Sequence, residues 1–196
     1  MSKTLLTIAA ALTLPLAACG PAKVPLDEAP LAGSTIGGDF TLVGKDGKPV
    51  RWSDFAGKWR IVYFGYTFCP DACPLDVGRI MQGYKKFAAT DPDLAASVQP
   101  IFVTVDPARD TPARVGDFAA AFSPRLIGLT GSEAQVADAA KKFAAYYARG
   151  KDLPGGYLMD HARIATLFDK TGKPIAVLPV DQGADAVAAE LARWVR

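Results

Sequence analysis

The chain has 196 residues, half of them hydrophobic and 21% charged, with a formal net charge of +2. That length suits one domain with a substantial core, and the composition excludes a disordered chain. It carries no basic run and no acidic tail, which leaves no electrostatic ground for expecting a nucleic acid partner.

In chain order, the first segment reads as an export signal. Met1-Ser2-Lys3 is a short positive start, residues 4–14 are apolar, and Leu16-Ala17-Ala18-Cys19-Gly20 is a small-residue cleavage site ending in a cysteine. An apolar stretch this short, with a cleavage site behind it, predicts export rather than a membrane span. The site resembles a bacterial lipobox, which would make Cys19 the lipidated first residue of a protein anchored on the periplasmic side of a bacterial membrane. A plain secretory signal with a chance cysteine is the alternative. In either case the remaining thiols face an oxidising compartment. Residues 20–34 hold three prolines and no periodicity, predicting a semi-rigid tether of up to ~45 Å. Residues 35–196 are expected to form a single unit.

Within that unit, residues 39–43 and 49–52 flank Lys45-Asp46-Gly47-Lys48 and predict an N-terminal β-hairpin. Residues 59–66 are a β-branched and aromatic run, the pattern of a buried central strand. Apolar residues at helical spacing follow over 73–89, with Pro74 in the first turn where a helix tolerates it. A strand over 98–105, a helix from 110 to about 122 and a short strand over 126–129 come next. The capping-box pattern Ser132-Glu133-Ala134-Gln135 opens a helix expected to reach about Tyr146. Strands over 164–168 and 174–180, joined by a turn at 169–172, precede a closing amphipathic helix over 185–195. Strands alternating with helices and ending in a hairpin plus helix predict an α/β, thioredoxin-like fold, a central mixed sheet flanked by helices.

Cys69 and Cys73 stand just past the carboxyl end of the central strand and at the mouth of a helix. Open α/β sheets place ligands there, and a helix N-terminus favours a thiolate. A structural disulfide is the bland reading, but it would close a very small loop and remove little chain entropy. His161, the one histidine, sits in a loop entering the strand at 164–168, beside the cysteine motif in such a fold. Two thiolates and one imidazole are too few for a closed structural zinc site, and they suit copper(I). Copper(II) would need further donors, for which Asp71, Asp160 and Asp138 are candidates. Asp106 and Arg109 read either as turn and ion-pair residues or as supports for the metal loop, and Asp110 to Pro112 as a helix cap. Tyr63, Phe64, Tyr66 and Phe68 read mostly as core, with shielding of the metal or contact with a partner as the alternative for Tyr66 and Phe68.

The runs Tyr63-Phe64-Gly65-Tyr66-Thr67-Phe68-Cys69-Pro70-Asp71-Ala72-Cys73-Pro74, Val105-Asp106-Pro107-Ala108-Arg109-Asp110-Thr111-Pro112 and Asp160-His161 resemble the signature blocks of the Sco/SenC family in order and spacing. The resemblance implies a copper chaperone whose ligands are Cys69, Cys73 and His161. It would help assemble the dinuclear copper centre of cytochrome c oxidase, with that oxidase subunit as partner. Other periplasmic copper chaperones or thiol reductants are further partners it suggests. Ala162 departs from the hydroxyl residue that many members carry after the histidine. The alternative function is a thiol-disulfide oxidoreductase with Cys69 as the attacking thiol and Cys73 as the resolving one. Against it stand the three-residue spacer and the lack of a proline before Ile164. A thiol peroxidase fits less well, because Thr67 lies two positions before Cys69 rather than three.

Overall fold

A computed structural model describes residues 24–196. The expected signal and Cys19 lie outside the described residues. Five strands form the central sheet: β3 (Trp59–Gly65), β4 (Val98–Thr104), β5 (Ile127–Leu129), β8 (Ala165–Phe168) and β9 (Pro174–Val177), in the order β5-β4-β3-β8-β9. β3, β4 and β5 run parallel, while β8 runs antiparallel to β3 and β9 antiparallel to β8. This is the mixed sheet expected. β1 (Thr41–Val43) and β2 (Pro49–Arg51) form the N-terminal hairpin.

Every residue of β3 and β4 is buried, which is why both runs, Arg60, Gln99 and Thr104 apart, are largely apolar on successive positions instead of alternating. On one face, Ile61 and Tyr63 meet Val77, Ile80 and Met81 of α1 (Ala72–Thr90). Phe102 of β4 packs tilted against Phe118 of α3 (Pro112–Phe122), with ring centroids 4.8 Å apart. On the other face, Phe64 packs at 5.8 Å on Phe143, which joins Phe40, Trp52 and Phe168 in one aromatic cluster. α5 (Ala184–Trp194) lies across α1 at Gly83, where a Cβ would stand 2.6 Å from Val187. Side-chain-free backbone at that point lets the two helices approach. Among the described residues no helix is long and apolar enough to cross a membrane.

Three expectations change. α4 (Glu133–Lys142) has the predicted capping box but stops at Lys142, four residues early. Phe143 turns into the aromatic cluster and Ala144 takes the left-handed conformation with φ +52°, so the chain leaves the helix there. Next, the loop expected before the strand at 164–168 pairs with the stretch following the predicted helix, forming a second hairpin of β6 (Tyr147–Leu153) and β7 (Gly156–His161) outside the main sheet. Finally, the expected tether over 20–34 is laid on the domain from Val24 onward. Ala29 is buried, the Leu31 N–H donates to the Ile175 carbonyl at 3.0 Å, and Arg196 donates to the Val24 carbonyl at 3.0 Å. Val24 and Leu26 supply apolar surface worth burying, and proline does not stop a chain from lying along a groove.

Candidate metal centre

β3 delivers the cysteine loop to its carboxyl end. Gly65, its last residue, is closely packed: a Cβ there would lie 3.0 Å from Phe102 and 3.1 Å from the Cys73 sulfur, and these neighbours would have to give by a few tenths of an ångström. The turn after it is braced by Asp110, which is fully buried. That carboxylate accepts from the Thr67 N–H at 3.0 Å, the Thr67 hydroxyl at 2.5 Å and the Thr104 hydroxyl at 2.6 Å. Of the two residues expected to cap the next helix, Asp110 and Thr111, it is Thr111 that does so, its side chain accepting from the Arg114 N–H. With the turn held, α1 opens directly behind the first cysteine, and the Cys73 N–H donates to the Cys69 sulfur at 3.3 Å.

His161 ends β7, and its backbone partner is Tyr147 on β6. Its Nδ1 lies 3.0 Å from the Ala162 carbonyl, and a carbonyl can only accept. The proton therefore sits on Nδ1, leaving a lone pair on Nε2, which stands 3.0 Å from the Cys73 sulfur. Tyr63 and Tyr66 meet the imidazole edge-on, at centroid distances of 6.2 and 5.8 Å. The ring is thus fixed in orientation, with its donor aimed at the sulfurs. The donor atoms of Cys69, Cys73 and His161 all lie within 4.8 Å of one another.

The two sulfurs differ in their electrostatics. Donation from the Cys73 thiol, together with the Cys73 and Asp71 N–H groups, outweighs partial burial and takes Cys69 down to about 3. The same hydrogen bond to Cys69, together with burial, pushes Cys73 up. The metal-free pair is therefore one thiolate and one thiol, and a metal ion binding both would release the remaining proton.

The SCO1/SenC family model matches residues 28–196. The chain belongs to that family. It is 43% identical over 136 residues to the mitochondrial SCO2 homolog of Mus musculus, covering 69% of this chain and 52% of that one. It spans about half the length of the mouse, Arabidopsis and bovine mitochondrial relatives it matches. The structure of Arabidopsis thaliana ScoI with copper bound superposes with a TM-score of 0.76 at 32% identity, over 81% of this chain and 96% of that chain. Bradyrhizobium japonicum ScoI with copper bound gives 0.73 at 33% identity, over 82% and 99%.

In this SCO1/SenC chain, the three candidate ligands come together and the candidate carboxylates do not. Asp160 turns toward Gly150 across the hairpin, Asp138 pairs with Lys142, and Asp71 is exposed before α1. Phe68, read as core, is 42% exposed beneath the guanidinium groups of Arg109 and Arg114.

Two contacts fasten the histidine hairpin, and sequence reasoning missed both partners on the hairpin side. The Tyr157 hydroxyl donates to Asp106 at 2.8 Å, Arg109 pairs with the same carboxylate, and its guanidinium lies 3.6 Å from the Tyr157 ring centroid. The reading of Asp106 and Arg109 as supports for the metal loop thus has its physical route, through Tyr157. On the other side of His161, Arg163 pairs with buried Asp76 of α1 through Nε at 2.8 Å and Nη2 at 2.6 Å. The Tyr63 hydroxyl donates to that same carboxylate at 2.9 Å. The available signal was the Pro154-Gly155-Gly156 turn between two aromatic-bearing runs, which marks a hairpin even though β6 is too polar to alternate.

Proposed function

We propose that this chain is a copper-binding metallochaperone that helps assemble the dinuclear copper centre of cytochrome c oxidase. The observation that carries the reading is the convergence of two sulfurs and one imidazole nitrogen within 4.8 Å. Such soft donors, too few for a closed zinc site, favour copper(I). The copper-bound Arabidopsis and Bradyrhizobium relatives support the same metal. Copper is cargo here: a site at the rim of the sheet, with Cys69 half-buried, lets an incoming cysteine-rich acceptor exchange ligands stepwise. The acceptor in this reading is the copper-site subunit of the oxidase, with other periplasmic copper chaperones or thiol reductants acting upstream. Lipidation at Cys19 would hold the domain at the periplasmic face of a bacterial membrane, on a short reach given that residues from Val24 onward are docked.

The test is a copper(I) titration of the reduced full chain, without oxygen, against a competing chelator. One tightly held equivalent, clearly weakened in His161→Ala, is expected. Weak binding, or binding indifferent to His161, would defeat the copper reading.

The asymmetry of the thiols favours a second reading beside it, reduction of the acceptor's disulfide. Cys69 is a half-buried thiolate suited to attack, and Cys73 a buried thiol suited to resolve the mixed disulfide. A Cys73→Ser chain that traps no mixed disulfide with an oxidised acceptor would remove this role.

A further inference from the structure

The ligands belong to two elements that do not share a strand pairing: Cys73 to α1, and His161 to the end of β7. One side-chain network joins them. Asp76 stands three residues after Cys73 on α1, and Arg163 two residues after His161. They meet through both guanidinium bonds described above. Tyr63 completes the network, giving its hydroxyl to Asp76 while its ring edge packs on His161. Asp76 is 1% exposed, so its carboxylate has no water to fall back on and holds Arg163 tightly, although the arginine side chain is itself half exposed.

Resting on the copper reading, we propose that Arg163 is a positioning residue that sets the reach of the His161 imidazole toward the sulfurs. It acts through Asp76 and Tyr63 and touches no metal itself. The bidentate geometry fixes both the distance and the angle of the strand carrying His161 relative to α1. A single flexible cation would fix only the distance. Removing the arginine frees the end of β7 to draw the ring away from Cys73 while leaving both cysteines in place.

The experiment is a double-mutant cycle on the full chain, with copper(I) retention measured against a chelator for wild type, Arg163→Ala, His161→Ala and the double variant. Support of this kind is worth about 10-fold in metal affinity. Arg163→Ala is expected to cost that factor when His161 is present and almost nothing when it is absent, with Arg163→Lys intermediate. Equal losses in both backgrounds mean a general structural effect and overturn the proposal. Because Arg163→Ala strands a buried carboxylate, the neutral pair Asp76→Asn with Arg163→Gln is measured alongside. It should retain copper better than Arg163→Ala if the geometry of the bridge is what matters. NMR contacts between the His161 and Tyr63 rings in the reduced metal-free protein give a readout independent of copper. Their loss in Arg163→Ala supports the positioning role, and their persistence refutes it. A wild-type chain that holds no copper sinks the copper reading, while the ring contacts still decide whether Arg163 positions the histidine.

Discussion

The two sides of the site are built in opposite ways. The cysteine side grows out of the core: β3 is buried along its whole length, α1 packs on it, and Asp110 locks the turn between them. The histidine side hangs from a two-stranded sheet whose residues are mostly exposed or half-buried, paired only with itself. Its position relative to the sulfurs depends on a few side chains, chiefly Tyr157 on Asp106 and Arg163 on Asp76. The difference teaches where tolerance lies. Many contacts over-determine the cysteines, whereas single substitutions should release the histidine.

The largest effect that would sharpen this contrast is Cys73→Ser. It keeps the shape of the buried site but deletes a proposed ligand, so copper(I) retention should fall by more than the roughly 100-fold upper range for supporting residues. The melting temperature of the metal-free chain should barely move. A large drop in melting temperature would mean that Cys73 is there for packing.

Asp106→Ala comes next, with retention weakened about 10-fold. It acts at a distance, by freeing Tyr157 and with it the hairpin. Thermal melting of the metal-free variant should show a proportionally smaller change. If stability falls more than copper retention, Asp106 supports the fold and not the site, and the contrast between the two sides is broken.

Tyr157→Phe is gentler. It removes one hydroxyl donor, worth about 1 kcal/mol in stability, and leaves the ring under Arg109. Copper should leave only modestly faster in a stopped-flow chelator assay. An effect as large as that of Asp106→Ala would show that the hydroxyl, and not the Arg109 stack, fastens the hairpin.

The last prediction concerns pH. Because hydrogen bonding holds Cys69 near 3, it stays a thiolate at every pH above that value. Its alkylation rate in the metal-free protein should be nearly flat between about pH 5 and 8, where an ordinary thiol with a pKa of about 8.5 would gain close to tenfold per unit. A steep rise would mean that the Cys73 donor bond is not maintained in solution.

Much of the cysteine side was legible in the amino-acid sequence because its signals are local. The run from Trp59 to Gly65 is buried throughout and, apart from Arg60, carries no charged residue, and the thiols follow it at the mouth of a helix. The strand order of a thioredoxin-like sheet also follows from the succession of such runs, since short connections and burial leave few arrangements. The ends of elements were less secure. α4 stops at Lys142 only because Phe143 finds the aromatic cluster, and that cluster is assembled from Phe40, Trp52, Phe64 and Phe168, far apart in the chain.

By itself, then, the amino-acid sequence determined the identity of the donors, the strand and helix that present the thiols, and the family signature around them. These depend on residue type and on spacing within a few turns of chain. Only the tertiary structure decided how His161 reaches Cys73, which face Phe68 shows, and that the carboxylates of Asp71, Asp138 and Asp160 stay out of the site. It also decided that Asp76 meets Arg163, 87 residues away. Such pairings arise when a packed sheet and helix bring distant segments to one edge. A buried carboxylate takes whichever cation the fold delivers to it, and no periodicity in the chain records that choice.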